Sequence, residues 1–226
     1  MESPGGRRAR AERSLTRILA VADEIDEFLY GDKLQKLRPD LVVSCGDLPF
    51  DYLEYLVSRL NVPLLWVPGN HDPSVRRADT TWTSLQQEVH TTGPEGCENV
   101  DGRVTEVRGL RIAGLGGSLR YKPGANQYTQ AQMRWRSLNL ELRIRLKRVQ
   151  AGRKLDLLIT HAPPFGVTEA EDQAHVGFVG LHRIIRGLHP LLLVHGHIHP
   201  YGRARPERRI DGTRIVNAVP SRLLEL

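Results

Sequence analysis

Cysteine is almost missing from this chain: Cys45 and Cys97 are the only two among 226 residues. That excludes a disulfide framework and makes a reducing, cytoplasmic setting the expected one. Long apolar runs are missing too. No segment could cross a bilayer, and the opening stretch MESPGGRRARAERS is polar and basic with no apolar segment behind it, so neither a secretory leader nor a membrane partner is expected. Aromatic residues make up only 6%, and they do not interleave with basic residues as on single-strand nucleic-acid platforms. Lysine is scarce as well. Lys33, Lys36, Lys122, Lys147 and Lys154 are the whole set, so the net charge of +6 is carried almost entirely by arginine. A basic balance favours anionic partners, phosphate compounds or nucleic acid among them, although most arginines of any surface simply face water.

What the chain does have is a series of short apolar runs rich in Val, Ile and Leu. They are ILAVA (18–22), LVVSC (41–45), PLLWV (63–67), LRIAGL (110–115), LDLLIT (155–160), LLLVH (191–195) and TRIVNAV (213–219). Continuous rather than alternating apolar residues predict strands covered on both faces. Helix-like segments lie between most of them, the βαβ alternation of an α/β fold. DYLEYLVSRL (51–60) predicts a helix, with Asp51 as N-cap and Glu54 three residues on completing a capping box. The turn dipeptides Asp101-Gly102 and Arg108-Gly109 predict antiparallel strands around them. For 135–149 the spacing fits a helix whose apolar stripe is Trp135, Leu138, Leu142, Leu146 and Val149, with Gly152 as its stop. SLRYKPGANQYTQ (118–130) reads as a binding loop or lid. Residues 1–14 are expected to form a disordered basic tail, and 15–226 a single domain.

The run Leu191–Val194 stops on His195, His197 and His199. In an extended chain these three imidazoles can share one side of the backbone. A lone histidine there is commonly a core residue satisfied by hydrogen bonds, but neutral imidazole is also the commonest metal ligand. Other runs end in the same manner: ILAVA on Asp23, LVVSC on Gly46 and Asp47, PLLWVP on Gly69, Asn70, His71 and Asp72, LDLLIT on His161. Ligands of open α/β sheets bind outside the carboxyl ends of the strands, so these groups are expected to gather at one rim.

The ordered set Asp23, GD (46–47), GNHD (69–72), THAPP (160–164) and GHIH (196–199) resembles the calcineurin-like metallophosphoesterase superfamily, and TRIVNAVPSRLLEL is similar to the closing strands of its small bacterial members. The resemblance implies a four-layer α/β/β/α sandwich of mixed sheets. It implies a site for two divalent metal ions, Mn²⁺ first with Fe²⁺ or Zn²⁺ as alternatives, in which Asp47 bridges the two, Asn70, His161 and His197 complete one, and Asp23 and His199 serve the other. His71 is then the general acid or charge stabiliser at the leaving group, oriented by Asp72, while His195 is packed or supporting. The implied activity is metal-dependent hydrolysis of a phosphate ester by in-line attack of metal-bound hydroxide, with a phosphodiester preferred and nucleotides or small phosphomonoesters also open.

One position departs from the pattern. Where the family reads Asp-x-His, this chain reads Asp23-Glu24-Ile25, and isoleucine cannot coordinate. The Asp23 metal is therefore expected to bind weakly unless Glu24, Asp26 or water substitutes. Two other readings follow: a metal-binding module that has lost catalysis, and a nuclease or nucleic-acid-binding protein gripping phosphates with the Arg134–Lys154 segment. Tyr121, Asn126 and Tyr128 in one loop, and Asp172 and His175 in another, are candidates for substrate contact.

Overall fold

The computed structural model describes residues 15–75, 93–151, 154–167, 173–202 and 206–226. The basic tail 1–14 and Asp172 lie outside these residues.

Every one of the apolar runs forms a strand. β1 (Arg17–Val21), β2 (Leu41–Ser44) and β3 (Leu64–Trp66) alternate with α1 (Asp32–Leu37) and α2 (Phe50–Leu60). Then come β4 (Glu98–Asn99), β5 (Val104–Val107), β6 (Leu110–Leu115) and the short β7 (Ser118–Leu119) and β8 (Gln127–Tyr128). The long α3 (Gln130–Ala151) leads to β9 (Leu157–Thr160), and α4 (Val179–Leu188) to β10 (Leu192–His195). β11 (Arg208–Ile210), β12 (Thr213–Asn217) and β13 (Ser221–Glu225) close the chain.

The strands form two mixed sheets, ordered β13, β1, β2, β3, β4 and β11, β12, β10, β9, β6, β5. In both the inner strands run parallel and the antiparallel partners sit at edges: β13 on β1, β5 on β6, β11 on β12. The apolar runs explain this. Ile18, Ala20, Val43 and Leu65 of one sheet meet Ile112, Leu157, Ile159 and Val194 of the other in one cluster. The alternate residues Leu19, Val42, Leu64 and Trp66 pack instead on Leu34 of α1 and Leu53 and Leu56 of α2. Likewise Ala113, Leu158, Leu193 and Ile215 pack on Met133, Leu140 and Ile144 of α3 and on Ile184 and Ile185 of α4. Strands buried on both faces cannot alternate apolar with polar. The mixed α/β fold expected from the sequence is thus the one observed, and no described helix is long and apolar enough to cross a membrane.

Several local readings need correction. Helix α2 is capped by Pro49, whose carbonyl accepts from Tyr52 and Leu53, so the helix begins one residue before Asp51. Glu54 closes no capping box; it accepts from the Glu95 N–H at 2.9 Å. In α3 the helix is right and its buried face is wrong. Trp135, Leu138, Leu142 and Leu146 are exposed, while Met133, Ser137, Leu140, Glu141 and Ile144 are buried. Val149 lies beyond the described side chains. The buried face carries Ser137 and Glu141, and Arg111, itself buried, donates from Nη2 to the Ile144 carbonyl at 2.8 Å; polar groups satisfied inside the fold hide this face from apolar periodicity. Lastly, the 118–130 loop is tighter than its sequence suggests, because β7 and β8 pair across it. The antiparallel β5–β6 hairpin forms as expected, with Arg108 and Gly109 both at positive φ, whereas Asp101-Gly102 joins no antiparallel pair: it links β4, parallel to β3 in one sheet, to β5 in the other.

Candidate metal centre

The parallel strands of both sheets deliver their carboxyl ends to one rim. There Asp23 follows β1, Asp47 follows β2, Asn70 follows β3, His161 follows β9 and His197 follows β10. Asp23, Asp47, His161 and His197 each present one donor atom, all within 4.8 Å of one another. Asp23, Asp47 and His197 line a cleft of about 440 Å³ together with Asn70, His71, Tyr121, Ala174, His175 and His199, while His161 is fully buried.

Glycines allow the strand-end loops to close on each other. A Cβ on Gly69 would fall 2.1 Å from Asp47 Oδ1, and one on Gly196 would fall 2.3 Å from Asp23 Oδ2. Neither loop could hold its carboxylate with alanine there. Asp23, Asp47 and His197 themselves sit at φ 61, 56 and 66, a left-handed conformation that costs a non-glycine residue on the order of 1 kcal/mol or more and that collects at functional sites.

Each imidazole spends one nitrogen on a fixed acceptor. His161 Nδ1 donates to the Cys45 carbonyl at 2.8 Å. Its Nε2 then faces Asn70 Oδ1 at 2.9 Å and Asp47 Oδ2 at 3.3 Å. His197 Nε2 donates to the Ala174 carbonyl at 3.0 Å, leaving Nδ1 as the free donor atom. His199 Nδ1 donates to Glu24 Oε1 at 2.6 Å, and its Nε2 lies 3.9 Å from Asp23 Oδ1. One ring N–H anchored on an outer acceptor, with the other nitrogen left for a metal, is how ligating histidines are held.

The charges are poised for a cation. Burial raises the Asp23 carboxyl above the usual carboxylate range, with His161 and the His197 N–H only partly offsetting it. Burial would lower the His161 imidazole, but Asp47 and Asp23 outweigh it and push the ring up to about 9. Burial would likewise raise Asp47, yet His161 and the His71 N–H hold it below its ordinary value. His197 goes the other way, lowered to about 3 by burial and by His161 beside it. A proton on His161 offsets only one of the two carboxylates, and the remaining negative charge among nitrogen and oxygen donors suits a divalent cation. Asn70 fits through its Oδ1, the amide atom able to ligate a metal, which lies 2.9 Å from His161 Nε2.

The remaining candidates fall into place around this group. His71 is exposed at the cleft, and its backbone N–H donates to Asp47 Oδ1 at 2.7 Å. Asp72, expected to orient the His71 ring, does something else. Its carboxylate accepts from the N–H groups of Gly69 at 2.7 Å and Asp47 at 3.0 Å, tying the two metal-side loops together, because a buried carboxylate is best satisfied by the backbone donors of the turns it sits in. His195 is buried on the Gly196 carbonyl and lowered to about 4 by burial, apart from the donor cluster. Ile25 is exposed, and Asp26 is taken up by Ser221 and by the Phe28 N–H. Of the loop residues, Tyr121 and His175 line the cleft, Asn126 Nδ2 donates to the Asp72 carbonyl at 3.1 Å, and Tyr128 packs against the helical cluster. Sequence reading misses the Cys45 and Ala174 carbonyls, since a backbone acceptor leaves no mark in residue type.

Comparison with known proteins bears on the fold and the family. A search of curated proteins finds no match. Among solved structures, TT1561 of Thermus thermophilus superimposes with a TM-score of 0.55 at 16% identity, covering 91% of this chain and 89% of that one. A second solved structure gives a TM-score of 0.55 at 17% identity and covers 91% of both chains. At such identities the likeness concerns the fold alone. The sequence model of the calcineurin-like phosphoesterases matches residues 12–201, a span that holds every residue of the donor cluster, and the chain belongs to that family.

Proposed function

We propose that this protein hydrolyses a phosphodiester or nucleotide with the help of two divalent ions, Mn²⁺ in preference. The observation that carries the reading is the convergence of donor atoms from Asp23, Asp47, His161 and His197 within 4.8 Å, with His161, His197 and His199 each anchored through one ring nitrogen. Asp47 stands between the two halves: His161, Asn70 and His197 on one side, Asp23 and His199 on the other. Ions bound there would supply, from water, a nucleophile at neutral pH and would neutralise the phosphate oxygens. Two dications against the carboxylates of Asp23 and Asp47 leave the site net positive, which favours an anionic ester. His71, exposed at the cleft, would protonate or stabilise the leaving oxygen.

Turnover of bis(p-nitrophenyl) phosphate with Mn²⁺, Fe²⁺ and Zn²⁺ added in turn tests this. Metal-dependent hydrolysis is expected; no hydrolysis with any of them would leave the reading of a catalytically silent metal-binding module, for which Ile25 is the observation in favour.

Glu24 bears on that departure. Its carboxylate does not stand in for the missing histidine but holds the far nitrogen of His199, an outer carboxylate that fixes the ring and raises its basicity. Glu24→Gln is expected to weaken the second ion by about 10 to 100-fold, the usual effect of losing such a partner, and Ile25→His to tighten it. Metal content after dialysis against graded chelator reads both. Equal retention in all three proteins would remove Glu24 from the site.

A further inference from the structure

The outward face of α3 carries Trp135, Leu138, Leu142 and Leu146, which are 64%, 37%, 54% and 61% exposed. At 3.6 residues per turn they fall within an arc of about 80°, on the side opposite Met133, Leu140 and Ile144. The helix is thus apolar on two faces. One is covered by the sheet and α4; the other forms a convex ridge in water. Large apolar groups grouped in this manner mark a contact surface.

The charges beside the ridge say what kind of surface it meets. Exposed Arg134 and Arg145 flank it on one side and exposed Arg143 on the other. The only carboxylate in α3, Glu141, is buried and already paired with Arg145 and Arg183. Arg183 continues the basic margin onto α4, whereas Arg186 is paired with exposed Asp211 at 3.2 Å and Arg143 Nη1 donates to the Gly102 carbonyl at 2.7 Å while the residue stays exposed. A second copy of the chain would oppose arginine with arginine. Four large side chains on one helix also fall far short of the roughly 20 to 30 residues a side that a stable protein interface uses. A lipid surface requires no complementary groove, accepts apolar side chains one by one, and gains further attraction from each cation beside anionic headgroups. Tryptophan sits well at the headgroup level.

We propose that α3 docks along an anionic lipid surface, its Trp-Leu ridge inserted and its arginines on the headgroups. The helix lies on the surface and does not span it, in keeping with its polarity. This goes beyond the phosphoesterase reading and does not depend on it.

The test is co-sedimentation of the full chain with vesicles of phosphatidylcholine alone and of phosphatidylcholine with a minority of phosphatidylglycerol, at low and high salt. The protein is expected to pellet with the anionic vesicles only, less so in salt, and the double variant Leu138→Glu/Leu142→Glu to lose at least about tenfold in binding. Both positions are exposed, so the variant should keep the wild-type melting temperature; Trp135→Ala, if the double variant melts early, is expected to weaken binding in the same direction. No pelleting with anionic vesicles, equal pelleting with both kinds, or binding unmoved by these substitutions would overturn the proposal. So would self-association in sedimentation equilibrium that the double variant abolishes, or binding to polyglutamate without binding to vesicles, which would assign the ridge to a second copy or to an acidic protein.

Discussion

Asp47→Ala is expected to lose bound metal and turnover together. Asp47 is the residue on which the site converges: Oδ2 lies 3.3 Å from His161 Nε2, Oδ1 accepts from the His71 N–H, and its own N–H is held by Asp72. Under the proposed arrangement it touches both ions, so its loss should exceed the roughly 10 to 100-fold effect of an outer partner such as Glu24. Asp47→Asn separates charge from shape, because the amide oxygen can still accept from His71. Metal content and hydrolysis measured on wild type, Ala and Asn variants decide the matter: if the Asn variant also comes out of dialysis empty and inactive, the charge is what holds the ions. Retention of metal by the Ala variant would contradict the bridging role.

His71→Ala is expected to behave in the opposite sense, with metal kept and kcat lowered by about 10² to 10⁴-fold, the usual range for a positioned acid. The reasoning is geometric. What His71 gives the metal side is a backbone N–H to Asp47, which alanine retains, whereas the ring is exposed at the cleft. The ring is thus free to serve the substrate and dispensable to the fold. Unchanged turnover would take His71 out of the mechanism; loss of metal along with turnover would show that the ring supports the ions instead.

Much of this is legible in the sequence, for a physical reason. Strands buried on both faces must be written in unbroken apolar residues, so the runs from Ile18 to Val219 stand out, and the polar residues that end them already point to one shared rim. Glycines carry a second signal, since Gly69 and Gly196 let the loops approach the carboxylates and Gly46 lets its loop approach the Gly69 backbone. What stays hidden depends on groups that have no sequence signature. The carbonyls of Cys45 and Ala174 fix two imidazoles, yet every residue owns a carbonyl. The face of α3 misleads because its buried side includes Ser137 and Glu141, the latter satisfied by Arg183 far along the chain, while its apolar stripe turns outward. Adjacency along the chain points Asp72 at the neighbouring ring, whereas its real partners, the backbone N–H groups of Gly69 and Asp47, have no residue type to betray them. Glu24 can be named from sequence as a substitute for the absent histidine, but its bond to His199 needs the fold.

Anomalous scattering from crystals grown with Mn²⁺ addresses the metal pair most directly. Two peaks are predicted, one on each side of the Asp47 carboxylate, the first in contact with His161, His197 and Asn70 and the second with Asp23 and His199. An empty map at Asp47, with His161 and His197 retaining only their protein partners, would contradict the account.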